Sequence, residues 1–198
     1  MILAQIFTER FGSDIMTTNP KGYRPKNPRE KFPLSIDQQR KMVEKADTRE
    51  KALIVFLLST GAHPSVLTEK AYNFDWTEQY YSWNRPKTLE KVRGSWSRAM
   101  RENDLYKELR KLRSKTPGYL WELVRDLGDE VEVKGVCPVQ CRHTYFSNRA
   151  RLGHNAFDIA HGAATSLDTI YDYYTIGMGE AKKLSDDDKR FLEWLMEV

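Results

Sequence analysis

Cysteine is nearly absent from this chain: Cys137 and Cys141 are the only two in 198 residues. Two such residues do not build a disulfide framework, so a reducing, intracellular compartment is expected. Long apolar runs are missing too. The run from Ala52 to Leu58 is too short to span a bilayer. The apolar start from Met1 to Ile6 has neither a basic lead nor a cleavage signature, so no secretory signal is expected. Internal repeats and low-complexity stretches are also absent. Apolar residues are 40% of the chain and aromatics 12%. That supplies a core for one domain, or one domain plus an arm.

No sign of charge dominates overall, with a net charge of only +4. Its distribution is uneven. Lys21, Arg24, Lys26, Arg29 and Lys31 lie between Thr17 and Pro33 against Glu30 alone, a local +4 equal to that of the whole chain. Pro20, Pro25, Pro28 and Pro33 punctuate the same stretch, which predicts an extended arm over residues 1–33. A basic extended arm suits a phosphate backbone, where each neutralised phosphate releases a counterion. A solvated linker has the same composition.

Folding is expected to resume at Leu34, with residues 34–198 as one domain. Ser35 and Gln38 match a capping box, predicting a helix to about Lys45. A second helix from about Arg49 to Thr60 carries the apolar run Leu53 to Leu58 and is expected to be buried, with Gly61 as its stop. Trp76, Tyr80, Tyr81, Trp83 and Trp96 are strand-prone, and the run Arg85-Pro86-Lys87-Thr88 reads as a turn. Together they predict a β-hairpin or three-stranded sheet. Further helices are expected at about Arg98–Arg113, Tyr119–Leu127, Arg142–Leu152, Asn155–Ala164 and Ser166–Tyr174, with Gly177 and Gly179 breaking the chain. Ser185 caps a last helix, 185–198, with Asp186, Asp187 and Asp188 in its first turn. Phe191, Leu192, Leu195 and Met196 form a stripe along it. The expected fold is mainly α with a small antiparallel sheet.

The run Cys141-Arg142-His143-Thr144-Tyr145-Phe146, followed by Tyr173-Tyr174, is the most informative feature. With it the chain resembles the catalytic domain of the tyrosine recombinases, the phage-integrase type, over roughly Pro33 to Gly177. Thr60-Gly61-Ala62-His63-Pro64-Ser65-Val66-Leu67 is similar to the first box, usually T-G-x-R-x-x-E-L. Arg85-Pro86-Lys87-Thr88 with Arg93 is similar to the β-hairpin lysine segment. Val139-Gln140-Cys141-Arg142-His143-Thr144-Tyr145 is similar to H-x-L-R-H-T-F. Counting on from Arg142 without gaps reaches Thr165 in the third histidine slot and Tyr174 as nucleophile. A gapped count reaches His161 and Tyr171, and Tyr173 lies in the same cluster. The departures are His63 for the first arginine, Val66 for the acid, Val139 for a histidine, and Thr165.

The resemblance implies metal-free phosphoryl transfer on double-stranded DNA, with a tyrosine oxygen attacking the phosphate and leaving a 3′-phosphotyrosine. No cofactor is implied. Arginine suits the non-bridging oxygens, because its planar fork is always charged and can bind bidentately. On this reading Arg142 grips the phosphate, Lys87 acts on the leaving oxygen and Tyr174 attacks. His63 replaces the first arginine when protonated. Arg85, Arg93 and the arm residues Lys21, Arg24 and Lys26 are the candidate DNA contacts. A cytoplasmic or nucleoid-associated protein is implied.

The C-terminal helix either passes to a neighbouring protomer, giving a homo-oligomer on DNA, or packs in cis. Cys137, Cys141, His143 and His154 offer metal ligands, but Cys-x₃-Cys-x-His is not a standard zinc spacing, and no metal is expected. Two other functions fit the chain: a catalytically degenerate DNA-binding relative that occupies recombination sites, and a protein-interaction module. Salt-sensitive DNA binding separates the last from the others.

Overall fold

The computed structural model describes residues 32–85, 91–113 and 115–197. The expected arm over residues 1–33 lies almost wholly outside the described residues, as does Lys87. The first described segment enters the core directly. Leu34 is fully buried and its N–H donates to Thr144 Oγ1 at 2.9 Å.

Helix α1, Ile36–Lys45, begins at the capping box foreseen from Ser35 and Gln38. The Gln38 N–H donates to Ser35 Oγ at 3.2 Å, and the Ser35 N–H to Gln38 Oε1 at 2.9 Å. Helix α2, Thr48–Thr60, starts from a second capping box, Asp47 with Glu50, and is buried from Ala52 to Thr60. Burial on every side explains its unbroken apolar sequence: it is the hub of the domain. Gly61 ends it at φ 61°, in the left-handed region. A side chain there would strain the backbone and strike the Tyr145 ring. A short helix α3, Ser65–Thr68, and a 3₁₀ turn, Lys70–Tyr72, lead to the sheet.

Strands β1 Asp75–Trp76, β2 Tyr80–Asn84 and β3 Lys91–Ser95 form an antiparallel sheet in that order. The register pairs Trp76 with Tyr81, Ser82 with Arg93, Trp83 with Val92 and Asn84 with Lys91. Alternation therefore places Trp76, Tyr81, Trp83 and Val92 on the buried face, and Lys91 and Arg93 exposed on the other. The buried face joins an aromatic cluster with Phe56, Phe74 and Trp96. The Trp96 indole N–H is satisfied by Thr77 O at 2.8 Å.

The expected helix over Arg98–Arg113 is two helices, α4 Arg98–Glu102 and α5 Leu105–Arg113. Asp104 divides them at φ 53°, a conformation short polar residues tolerate. The re-aimed α5 buries Leu105, Tyr106, Leu109 and Leu112. Helix α6, Pro117–Glu130, runs three residues past its expected end, because Gly128 lets Val133 and Val136 fold back against it.

Helix α7, Pro138–Arg151, begins a full turn before the expected Arg142, with Pro138 in its first turn. Helix α8 is Ala156–Gly162, capped by Asn155. Helix α9, Leu167–Ala181, passes straight through the two glycines expected to break it. Gly177 lies where α9 crosses α7: a Cβ there would meet Ser147 O and come within 2.7 Å of Ala150 Cβ.

Helix α10, Asp186–Met196, is seated on its own chain. Leu192, Leu195 and Met196 are buried, Arg40 pairs with Asp187 and Asp188, and the Trp194 indole N–H donates to Glu102 at 2.8 Å. Of the two placements the sequence left open, the cis one is present. Among the described residues no helix is long and apolar enough to cross a membrane.

Candidate functional site

Arg142 is the centre of the site. It lies one turn inside α7, and its guanidinium reaches across to the ends of two other helices. One nitrogen donates to the carbonyl of Gly61, the cap of α2, and another donates to Ala163 O at 3.0 Å, just after α8. The carbon of the guanidinium lies 5.3 Å from the Phe146 ring centroid. Two of five N–H donors are thus committed to backbone, leaving three for a ligand. Burial lowers the Arg142 pKa to about 10, so it stays charged at neutral pH. The Tyr145 and Tyr72 phenols act to raise it, and Arg85 acts to lower it. Arg142 makes no ion pair with a described carboxylate. Its neighbours on the same helix differ. Arg149 pairs with Glu197 at 3.3 Å, and Arg151 donates to Glu180 at 2.8 Å and to Asn148.

His63 stands two residues beyond Gly61, and its ring is exposed. Burial of part of the ring, and then the charge of Arg142, hold its pKa below the ordinary imidazole range, with Glu69 acting the other way. The sequence reading made His63 a stand-in for arginine when protonated. Burial and the charge of Arg142 both work against that protonation. Val139, in a histidine slot, is half-buried on the first turn of α7. Thr165, in the other slot, donates its N–H to Ala160 O at 2.9 Å. His161, the gapped alternative, is exposed at the end of α8.

The tyrosines of α9 are unlike one another. Tyr173 stacks on His143 with ring centroids 4.0 Å apart, and its carbonyl accepts from Ser147 Oγ at 2.8 Å. The Tyr171 carbonyl accepts from Thr175 Oγ1 at 3.0 Å. Tyr174 is half-buried against the core, and burial alone raises its phenol pKa. The charge of Arg142 thus acts on the His63 ring and that of Arg85 on Arg142, whereas the Tyr174 shift is attributed to burial. Arg93 lies apart on the outer face of the sheet with Lys91, and neither makes an ion pair with a described residue. Lys87, Lys21, Arg24 and Lys26 lie outside the described residues.

Sequence reading missed three participants: Tyr72, whose phenol influences Arg142, and the carbonyls of Gly61 and Ala163. Backbone acceptors carry no side-chain signal. On α5, Lys107 pairs with Asp104 and Lys111 with Glu108, each at 2.8 Å along the helix. Cys137 and Cys141 are buried free thiols. Among the described residues, no three His, Cys, Asp or Glu side chains converge in metal-binding fashion.

No protein-family model and no curated protein matches the sequence. The fold, by contrast, is that of solved recombinases. The crystal structure of XerA recombinase matches at TM-score 0.60 and 22% identity, covering 85% of this chain and 65% of that one. The XerH site-specific recombinase, in a post-cleavage complex with a palindromic difH substrate, matches at TM-score 0.58 and 17% identity, covering 77% and 52%. Its pre-cleavage complex with difH matches at TM-score 0.57 and 19% identity, covering 81% and 55%. This chain spans less than two thirds of each.

Proposed function

We propose that this chain binds double-stranded DNA and breaks and rejoins its strands as a tyrosine recombinase does, with Tyr174 as nucleophile. The observation that carries the reading is Arg142: a partly buried cation fixed by two carbonyls, with no carboxylate among the described residues to neutralise it. A desolvated charge held without a counter-ion costs stability, and an anionic ligand offsets that cost. The non-bridging oxygens of a phosphodiester fit the remaining donors. Arg85 adds positive field beside it, and Lys91 and Arg93 extend a basic face along the sheet. Lys87 protonates the leaving 5′ oxygen, and Tyr174 attacks the phosphorus. The likeness in fold to XerH bound to its difH substrate supports DNA as the partner. Assembly of several copies on DNA belongs to the same reading.

Two observations favour a second reading, a relative that occupies DNA sites without cutting. Val139 cannot move protons, and burial raises the Tyr174 phenol pKa. Nicked suicide duplexes carrying candidate sites separate the two. A covalent adduct formed by wild type and lost in Tyr174→Phe supports strand breakage at Tyr174. An adduct lost in Tyr171→Phe instead moves the nucleophile. Binding without any adduct leaves the second reading standing.

A further inference from the structure

His63 is held by a local device that decides where its proton sits. Pro64 turns the chain into α3, and the Ser65 N–H arrives at His63 Nδ1, 3.2 Å away. An amide nitrogen only donates, so Nδ1 must offer its lone pair. In a neutral imidazole one nitrogen donates and the other accepts, so the proton lies on Nε2. An imidazolium would set Nδ1–H against the Ser65 N–H, donor facing donor. The charged groups that act on the ring are Arg142 from α7, which opposes protonation, and Glu69 beyond α3, which favours it. His63 makes no other contact with a described polar group, and its ring is exposed.

We infer that His63 is a neutral, tautomer-locked donor whose Nε2–H joins the Arg142 guanidinium in binding an anionic phosphate oxygen. The inference rests on the reading of the site as a phosphodiester site. It changes how the site works: Arg142 supplies charge, and His63 supplies direction with none. A neutral donor costs less to desolvate beside a buried cation than a second cation would.

The test uses the full chain labelled with ¹⁵N-histidine. Four histidines are present, and loss of signal in His63→Gln assigns His63. At pH 7 long-range proton–nitrogen spectra are expected to give a protonated Nε2 and an unprotonated Nδ1. Inorganic phosphate is expected to shift Nε2–H saturably without protonating Nδ1. For duplex DNA, His63→Gln keeps an amide donor and stays within about threefold of wild type, whereas His63→Phe loses about tenfold. Unchanged signals of the other three histidines establish that each variant is folded. A proton on Nδ1, an imidazolium at pH 7, or no response to phosphate overturns the inference. A locked Nε2–H that answers phosphate in a chain forming no DNA adduct upholds it and overturns strand breakage instead.

Discussion

Arg142 is the residue at which fold and function are in tension. Arg149 and Arg151, about two and two and a half turns on, have carboxylate partners; Arg142 has carbonyls and a lowered pKa. Carbonyl dipoles orient a guanidinium but do not cancel its charge. Replacing a desolvated charge by an apolar side chain of similar length is often neutral for stability, and sites kept for function are rarely optimal for it. Arg142→Met is therefore expected to lose more than tenfold in duplex affinity, while unfolding free energy changes by less than about 2 kcal/mol. Urea denaturation and a DNA titration on the same preparation check both. A loss of several kcal/mol with unchanged affinity would make Arg142 a structural tie between α2, α7 and α8. Protonation of the Tyr174 phenol belongs to this scale too. Its raised pKa means that attack needs a group to take the proton, and Val139 cannot.

At the scale of elements, helix α9 must be straight and close to α7 for Tyr174 to have a fixed place. Gly177 makes that approach possible, since a methyl group would press on Ser147 O and on Ala150. Gly177→Ala is expected to cost about 2–3 kcal/mol by overpacking, despite alanine's better helix propensity. Gly179, with open space around it, serves as the control: Gly179→Ala should stabilise by roughly 0.5–1 kcal/mol. Thermal melts of the pair decide it, and equal shifts would sink the close-crossing argument. The same glycines mark what the sequence could not tell. Helix starts were legible because Ser35 with Gln38, Asn155 and Ser185 carry their signal locally. The end of α2 was legible from Gly61. Gly177 read as a breaker because its reason lies on another helix. The split at Asp104 was equally invisible, since the burial of Leu105 and Leu109 against α2 decides it. In the candidate site, motif order singles out Arg142 and His63, but the acceptor carbonyls and Tyr72 emerge only from three-dimensional placement.

For the whole molecule the question is whether its basic features act on one ligand. Net charge is mild, so on the proposed function affinity for DNA must come from placement. The exposed face of the sheet presents Lys91 and Arg93 without ion pairs to described residues, and the charge of Arg85 acts on Arg142. The sequence adds Lys21, Arg24, Lys26, Arg29 and Lys31. Counterion release makes each phosphate contact contribute about 0.9 to the slope of log affinity against log salt. If all five of those residues bind phosphate, changing each to Gln in the full chain should flatten the slope by about 4.5, whereas Arg93→Gln alone should flatten it by about 0.9. Filter binding or anisotropy on a duplex from low to moderate salt measures this. An unchanged slope in the fivefold variant would make that stretch a linker and leave the sheet and Arg142 to hold DNA alone. A slope near zero in wild type would remove DNA as the partner. The buried cation and the exposed imidazole would then face a protein's carboxylates instead of a phosphodiester.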